Sequence, residues 1–312
     1  MPEPLIAIFG PTAVGKTEVA VELAELLRAR GEEPVAVSVD AYQVYEGLDT
    51  LVAKPGPAEL ERLEHRLISF VPVEDEFSVG QFAERAHAEI DELLAAGRRV
   101  LVVGGAGLYL RAALTELDLK PPPRTELRAE LEREIAALGP EALHGRLSGP
   151  VAADVHPRDR KRVVRALELE QMGEAVHAGS EQLWSEELRL PAVLFGLVMD
   201  RGGLDERIGV RVRAMLAAGA SDEVERALER GASRTARKAI GFGELEAHLA
   251  GQAGLEEAAA RIERRHRQYT KRQLTWMRKL PNIALVDRTG SSGTDAAGEI
   301  LRRLDSLPAR WD

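Results

Sequence analysis

The sequence predicts an α/β fold, in which a parallel sheet forms the core and an all-helical domain is inserted. Three observations support this prediction. Apolar runs alternate with segments of helical periodicity from residue 5 to residue 103. A glycine-rich loop joins the first run to the first helical pattern, and residues 125–183 carry helical periodicity without a strong strand. We therefore expect a core at residues 1–118 and 190–312 and a helical insertion at 119–189.

The expected strands are apolar runs of the kind that is buried in parallel sheets. They lie at residues 5–9, 34–39, 67–71, 100–105 and 192–198. Helices are expected at residues 19–27, 82–94, 204–212 and 255–279. The proline run within residues 120–124 is typical of an inter-domain crossing.

The composition is that of an ordinary globular protein. Of the 312 residues, 45% are hydrophobic and 30% are charged. The chain has no cysteine, which excludes disulfides, thiolate metal sites and a cysteine nucleophile. No apolar run reaches transmembrane length and no signal peptide is recognisable. We expect a cytoplasmic monomer without a membrane partner. The net charge of -9 disfavours nucleic acid only weakly, because a local basic patch matters more than the total.

Residues 10–17 read GPTAVGKT, which is the GxxxxGK[S/T] pattern of a P-loop, and they lie between a predicted strand and a predicted helix. Gly10 and Gly15 allow a tight bend that turns backbone N–H groups inward, and the helix N-terminus adds partial positive charge. Lys16 supplies a cation for a terminal phosphate, and the Thr17 hydroxyl can ligate Mg²⁺. The alternative is a glycine-containing turn. We interpret the motif as a polyphosphate site in a P-loop nucleoside-triphosphate-hydrolase-like core.

Two features at the ends of later strands bear on the chemistry. Asp40 follows the second strand and should lie near the phosphate, where it can bind metal through water or accept a proton; the alternative is an N-cap for the next turn. Gly104 and Gly105 end the fourth strand, where common P-loop hydrolases carry a metal-binding Asp. This disfavours a routine ATPase or GTPase. It suggests a gap for substrate, although tight packing would also explain the glycines.

Basic residues cluster in three places. Arg207 and Arg211 share one helix face and are suited to gripping a pyrophosphate. Five basic residues fall within positions 158–165, and the helix at 255–279 interleaves many basic residues with Tyr269 and Trp276. Such segments are typical of nucleic-acid contact, or of a solvated helix face. A small-molecule kinase explains the P-loop, Asp40 and the missing metal Asp, but an enzyme that acts on nucleic acid also explains the basic helices.

The arrangement of motifs is more specific than the P-loop alone. In order from Gly10 to Lys279, the motifs are GPTAVGKT, SVDAYQVYEGLD with AKP, VVGGAGLYL, HPRDRKRVVRALE, MLAAGASDEV, AIGF and RRHRQYTKRQLTWMRK. Over most of its length the chain resembles the tRNA dimethylallyltransferases. The resemblance implies transfer of a dimethylallyl group from dimethylallyl diphosphate to N6 of adenosine 37 in tRNA, with diphosphate released.

The resemblance also implies roles for individual residues. Asp40 would be the base, with Lys16, Thr17 and Arg211 acting on the leaving diphosphate, and Mg²⁺ would bind at Thr17. The diphosphate-binding residues would be Gly10, Pro11, Thr12, Ala13, Val14, Gly15, Lys16, Thr17, Arg207 and Arg211. The acceptor would be the anticodon stem-loop of a tRNA with consecutive adenosines at positions 36 to 38, and the target base would be flipped out of its stack. The tRNA-contacting positions would be Asp40, Ala41, Tyr42, Gln43, Ala106, Arg128, Lys161, Arg162, Val163, Val164, Arg165, Lys238, Ala239, Ile240, Gly241, Phe242, Gly243, Arg265, Lys271 and Arg272.

Departures from the family pattern fall on the acceptor side. Ala41 replaces Ser, Ala106 replaces Thr, Lys161 replaces Gln, and residues 242–243 lack a hydroxyl and a cation. Each lost hydrogen bond would weaken acceptor binding by about 0.5–1.5 kcal/mol. Two alternatives stay open: a P-loop kinase or prenyl transferase that acts on a free nucleotide, and a non-catalytic RNA-binding protein with a relic P-loop.

Overall fold

A parallel sheet of six strands forms the centre of the larger of two structural units. The computed structural model describes residues 3–121, 124–174, 176 and 183–306. One unit comprises Met1–Glu116 with Glu186–Asp312, and the other comprises Leu117–Ser185. Pro122 and Pro123 of the expected proline crossing lie outside the described residues, as do residues 175 and 177–182 of the expected helical stretch.

The strands run in the order β3-β2-β4-β1-β5-β6, and all pairs are parallel. Their bounds are β1 Leu5–Phe9, β2 Pro34–Ser38, β3 Glu64–Arg66, β4 Arg99–Gly104, β5 Ala192–Val198 and β6 Ile283–Asp287. Because the strands are parallel, their carboxyl ends lie at one edge of the sheet, where α/β proteins bind ligands. This edge receives the loops that follow β1, β2 and β4. The P-loop, Asp40 and Gly104 are therefore neighbours.

Helices of the larger unit cover the sheet and extend from it. They are α1 Lys16–Arg28, α2 Pro57–Arg62, α3 Val79–Ala95, α4 Gly107–Leu114, α9 Arg201–Ala217, α10 Ala220–Glu229, α11 Phe242–Leu249, α12 Leu255–Met277 and α13 Gly293–Asp305, with a short 3₁₀ helix at Ala236–Lys238. The apolar face of α1 packs with Ile6, Ile8 and Ile300 in a fully buried core. Burial of aliphatic side chains at about 25 cal/mol per Å² is the main force that holds these layers together.

The smaller unit is helical and has a core of its own. Its described helices are α5 Thr125–Leu138, α6 Pro140–His144, α7 Gly149–Asp154 and α8 Arg160–Gln171. Leu131, Ile135 and Leu167 are buried together in this core. The carboxylate of Glu168 is also buried there and is paired with Arg128, which offsets the cost of removing the charge from water. Within the described residues of both units, no helix is long and apolar enough to cross a membrane.

The sequence-based strand predictions are mostly confirmed, with one error and one omission. Strands β1 and β5 have the predicted bounds, β2 ends one residue earlier than predicted, and β4 begins and ends one residue earlier than predicted. The strand predicted at 67–71 is wrong. Leu67 and Ser69 have φ values of 60° and 50°, which no strand tolerates, and the paired segment is Glu64–Arg66. Strand β6 and helix α13 were not predicted.

Candidate active site

The P-loop forms a tight turn between β1 and α1. Ala13 and Gly15 both have left-handed backbone conformations, with φ values of 64° and 92°. A Cβ on Gly10 would lie 2.9 Å from Val14 Cγ1 and 3.1 Å from the Leu197 carbonyl oxygen, so only glycine fits there. The loop therefore presents the N-terminus of α1 to the sheet edge, and this is the geometry that binds phosphate.

Two partly buried cations lie at the loop. Lys16 Nζ donates hydrogen bonds to the carbonyl oxygens of Gly10, at 3.1 Å, and Pro11, at 2.9 Å. Burial and the neighbouring Arg211 lower the pKa of Lys16 to about 8, against a smaller opposing effect of Asp40. Burial also lowers the pKa of Arg211, whose Nη2 lies 3.4 Å from the Val52 carbonyl oxygen. Removing Lys16 and Arg211 from water costs free energy that their protein contacts offset only in part. A multiply charged anion would offset more of this cost.

Asp40 lies in a turn directly after β2. Its Oδ1 accepts hydrogen bonds from the backbone N–H groups of Tyr42, at 2.8 Å, and Gln43, at 3.3 Å. The capping interpretation is therefore correct for one oxygen. Among the residues that the structure describes, Oδ2 has no hydrogen-bond partner. The turn thus fixes the carboxylate and leaves one oxygen available to a ligand.

A cavity of about 230 Å³ joins these groups. It is lined by Thr12, Ala13, Gly15, Lys16, Thr17, Asp40, Gln43 and Arg211 from the predicted set. Ser38, Tyr269 and Gln273 also line it and were not predicted as cavity residues. The Ser38 hydroxyl donates to Gln43 Oε1 at 2.8 Å, and Gln43 Nε2 donates to the Ala53 carbonyl oxygen at 3.0 Å. These bonds hold the loop after β2 against the cavity.

Arg207 lies on the outer side of the P-loop, beside Arg288. A Cβ on Gly15 would lie 3.3 Å from Arg207 Nη1 and 3.1 Å from Arg288 Nη2. Both arginines line a second pocket that also includes Arg211 and Ala13. Arg288 is 1% exposed and is paired with Glu18 at 2.8 Å. It follows β6, so its contribution could not be predicted once that strand was missed.

Mg²⁺ fits the donor set at this site. Mg²⁺ keeps several waters and takes one or two protein oxygens together with phosphate oxygens. Thr17 and Asp40 line the cavity and offer a hydroxyl and a carboxylate. No group of three or more acidic, His or Cys side chains among the described residues could form an all-protein metal site. A metal here would therefore depend on the phosphate ligand.

Helix α12 contacts the P-loop through a glutamine that the sequence analysis did not single out. Gln273 is 3% exposed, and its Oε1 accepts a hydrogen bond from the Thr12 N–H at 2.8 Å. Its Nε2 donates to the Gly105 carbonyl oxygen at 2.8 Å. The sequence did contain a sign of this role. Gln273 is a neutral amide at helical spacing from His266 and Thr270, which places it on the buried face of a basic helix.

Gly104, the last residue of β4, and Gly105, the residue after it, do not leave a gap, so that expectation is wrong. A Cβ on Gly104 would lie 2.4 Å from the Val39 carbonyl oxygen, and a Cβ on Gly105 would lie 2.3 Å from Gln273 Nε2. A Cβ on Gly107 would likewise lie 2.4 Å from the Trp276 ring. Glycine is required here because protein atoms approach closely, although Gly104 does line the cavity.

The basic face of α12 is narrower than the sequence suggested. Arg261 pairs with Glu257, Arg265 with Glu244, and Arg267 with Glu263 and Asp205. The exposed basic side chains of this helix for which the structure shows no ion pair are Arg264, Lys271 and Arg272. Tyr269 and Trp276 do not form an outward stacking surface: the Tyr269 hydroxyl lies 3.4 Å from the Gly105 carbonyl oxygen, and Trp276 packs on Gly107.

Several predicted tRNA-contacting side chains are buried. Val163 and Val164 belong to the core of the helical unit, and Ala239 and Phe242 to that of the larger unit, so side-chain contacts from these four are wrong. Arg165 donates to the Pro121 carbonyl oxygen and pairs with Glu168. Ala106 is 8% exposed. The exposed members of the set are Lys161, Arg162, Lys238, Gly243, Lys271 and Arg272, while Ala41, Tyr42, Ile240 and Arg265 are partly buried and Gly241 is a buried helix cap.

The fold has counterparts among known proteins. The IPP transferase family model matches residues 43–280. A tRNA dimethylallyltransferase of Symbiobacterium thermophilum is 41% identical over 99% of this chain and 96% of its own length. The crystal structure of a tRNA isopentenylpyrophosphate transferase from Bacillus halodurans is 35% identical, with a TM-score of 0.70 over 97% of each chain. A eukaryotic dimethylallyltransferase, crystallised acting on tRNA, shares the fold at 23% identity, with a TM-score of 0.76 over 99% of this chain and 81% of its own. The chain belongs to the IPP transferase family.

Proposed function

We propose that this chain transfers the dimethylallyl group of dimethylallyl diphosphate to N6 of adenosine 37 in the anticodon loop of tRNA and releases diphosphate. One observation carries the proposal: Asp40, with one unpartnered carboxylate oxygen among the described residues, lines the same cavity as Lys16, Thr17 and Arg211. A base and an anion site thus share one small enclosure. Membership of the IPP transferase family supports this assignment.

The P-loop and its cations would bind the diphosphate of the donor. Lys16 and Arg211 would supply positive charge to the diphosphate, in a cavity of low dielectric that both residues line. As the bond between the donor's C1 and the diphosphate oxygen breaks, negative charge builds up on the leaving group. Cations that are already desolvated stabilise that charge without reorganisation, and Arg207 lies close enough to assist on the outer side of the loop.

Asp40 would act on the acceptor amine. The exocyclic N6 of adenine is a weak nucleophile, because its lone pair is delocalised into the ring. Asp40 Oδ2 would accept a hydrogen bond from N6 and then its proton, while N6 forms the new bond to C1 of the donor. The turn that holds Oδ1 keeps the carboxylate in position. To reach it, the base must leave its stack, as in other enzymes that modify a base within folded nucleic acid.

Mg²⁺ would be held at the Thr17 hydroxyl. Its contribution when bound is charge neutralisation on the leaving group. Thr17 is the second residue of α1, so its hydroxyl is held at the helix N-terminus.

The direct test is transfer of label from dimethylallyl diphosphate to unmodified tRNA. We expect label in a tRNA that carries adenosines at positions 36 to 38, and none in the same tRNA with guanosine at position 37. Asp40→Ala should reduce transfer by several orders of magnitude and still bind diphosphate. Label in free AMP but not in tRNA would instead establish the alternative enzyme, which acts on a free nucleotide.

A catalytically silent protein is the other alternative. Wild-type protein that retards tRNA in a gel but transfers no label, with either acceptor, would contradict the proposed reaction. The arrangement of Lys16, Thr17, Asp40 and Arg211 around one cavity argues against it.

A further inference from the structure

Gln273 makes the two hydrogen bonds that link helix α12 to the loops of the anion site. Its carbonyl accepts from the Thr12 N–H and its amide group donates to the Gly105 carbonyl, both at 2.8 Å. The side chain is 3% exposed, so these bonds are shielded from water. The carbonyl oxygen of one amide thus binds the loop that follows β1, and its NH₂ group binds the loop that follows β4.

The backbone at Gly105 packs closely against Gln273. A Cβ on Gly105 would lie 2.3 Å from Gln273 Nε2, 2.9 Å from the Gly10 carbonyl oxygen and 3.3 Å from Lys16 Nζ. One turn further along α12, Trp276 packs on Gly107 with the same closeness. The inner face of α12 therefore packs closely on the residues that follow β4. This packing places the Gln273 amide against the P-loop.

The hydrogen bond to Thr12 acts on the loop that binds the anion. Lys16 holds the carbonyl oxygens of Gly10 and Pro11, and Gln273 holds the next N–H group, that of Thr12. Consecutive backbone groups are thus fixed by two side chains from different elements. A loop that is held in shape before the anion arrives does not lose conformational entropy on binding, which raises affinity.

Gln273 lies within a helix whose outer face is basic. Lys271 and Arg272, its near neighbours in the chain, are exposed. We propose that Gln273 is a positioning residue, which sets the geometry of the P-loop for diphosphate and ties it to the helix that carries Lys271 and Arg272. The proposal rests on the proposed function only in taking diphosphate as the ligand.

Two substitutions test the proposal, with inorganic diphosphate as the calorimetric probe. Gln273→Met removes both hydrogen bonds and should weaken diphosphate binding by about tenfold to a hundredfold, at all pH values below about 8. Gln273→Glu keeps an oxygen that accepts the Thr12 N–H. When the new carboxyl group is ionised, its other oxygen faces the Gly105 carbonyl oxygen, so two acceptors meet, and the group adds negative charge beside the anion site. Protonation restores the donor, so its affinity should recover by at least fivefold as the pH falls from about 8 to about 5.

The matched control is Gln268→Glu, the same chemical change at an exposed position of α12. It should bind diphosphate with wild-type affinity and the wild-type pH dependence. Thermal unfolding of each variant checks that the protein is folded. The pH series of Gln273→Glu compares one protein with itself, so a general loss of stability cannot produce the expected recovery of affinity.

The outcomes separate this inference from the proposed reaction. Wild-type affinity in both Gln273 variants, or a Gln273→Glu protein whose pH dependence matches that of the wild type, would overturn the positioning role alone. Diphosphate binding with the expected pattern, but no transfer to tRNA by the wild type, would support Gln273 and contradict the proposed acceptor. A wild type that binds no diphosphate would contradict both.

Discussion

The ammonium group of Lys16 donates a hydrogen bond to the backbone carbonyl of Pro11, at 2.9 Å, within its own loop. A second bond, to the Gly10 carbonyl, completes the interaction, and Lys16 lines the cavity that Asp40 and Arg211 also line. Burial and Arg211 lower the pKa of this lysine to about 8. Its charge can therefore be removed at a pH that the folded protein tolerates.

This pKa predicts how diphosphate binding depends on pH. The anion favours charged Lys16, so binding raises the pKa of Lys16 back above 8 and takes up a proton whenever the lysine of the free protein is neutral. Affinity should be constant just below pH 8 and should fall by up to about tenfold per pH unit above it. Calorimetric titrations with inorganic diphosphate measure this. Lys16→Met should bind weakly with no such inflection near pH 8, and the same inflection in that variant would assign the titration to another group.

Gly105 should be intolerant of the smallest side chain. Gly105→Ala places a methyl group 2.3 Å from Gln273 Nε2 and 2.9 Å from the Gly10 carbonyl oxygen, so the loop must move. We expect a loss of about 2 kcal/mol or more in the free energy of unfolding, together with weaker diphosphate binding. Gly149→Ala is the matched control, because its Cβ would have no heavy atom within 4 Å, and it should be neutral or slightly stabilising. Equal effects of the two substitutions, measured by denaturant titration, would argue against the packing at Gly105.

His266 should make the protein sensitive to mild acid. It is 5% exposed, and neither ring nitrogen has a hydrogen-bond partner among the described residues. Burial, Arg211 and Arg265 lower its pKa from 6.5 to about 3. Between these values the unfolded chain binds the proton and the folded chain does not. Stability therefore falls as the pH drops below 6.5, by about 1.4 kcal/mol per unit, or roughly 2 kcal/mol at pH 5.

The replacement His266→Leu isolates this contribution. Other groups titrate alike in both proteins, so the difference in the free energy of unfolding between pH 7.5 and pH 5 should be smaller in the variant by roughly 2 kcal/mol. Denaturant unfolding at the two pH values is sufficient. Identical pH dependence would show that His266 is protonated in the folded protein.

Arg128 should be more important for the stability of the helical unit than an exposed cation would be. It pairs with Glu168, whose side chain is fully buried and has Arg165 as its other cationic partner, at 3.4 Å. Arg128→Ala leaves that carboxylate with incomplete compensation and should cost about 3–5 kcal/mol in amide-exchange protection of α5 and α8. Exposed Lys161→Ala should leave protection unchanged. The double variant Arg128→Met, Glu168→Leu should recover most of the loss, and a failure to recover would point to a role of Arg128 other than this ion pair.

Much of the fold was predictable because local patterns determine it. Strands β1 and β5 are continuous apolar runs, and their bounds were predicted correctly. The error at 67–71 arose because Leu67 and Ser69 adopt positive φ, which a run of apolar and small residues does not reveal. Strand β6 was missed because it is the edge strand and its apolar run, residues 283–286, is only four residues long.

The candidate site was predictable only where it is local in sequence. The P-loop and Asp40 were identified from adjacent residues, and Arg211 from helical spacing. Gln273 lies 261 residues from Thr12, and no local pattern reports such a contact. Ion pairs were hidden for the same reason: Glu244 and Asp205 neutralise arginines of α12 from other helices. Val163 and Phe242 show the opposite problem. They were predicted as tRNA-contacting positions because they belong to sequence motifs, but their side chains are buried.

The most direct test of the account is the comparison of Asp40→Asn with wild type in transfer of the dimethylallyl group to unmodified tRNA. Asparagine retains an oxygen for the Tyr42 and Gln43 N–H groups, so the turn should persist while the base is lost. The account predicts that the variant binds diphosphate and tRNA as the wild type does and that transfer at a single-turnover rate falls by at least about a thousandfold. Transfer by Asp40→Asn at the wild-type rate would contradict the assignment of Asp40 as the base.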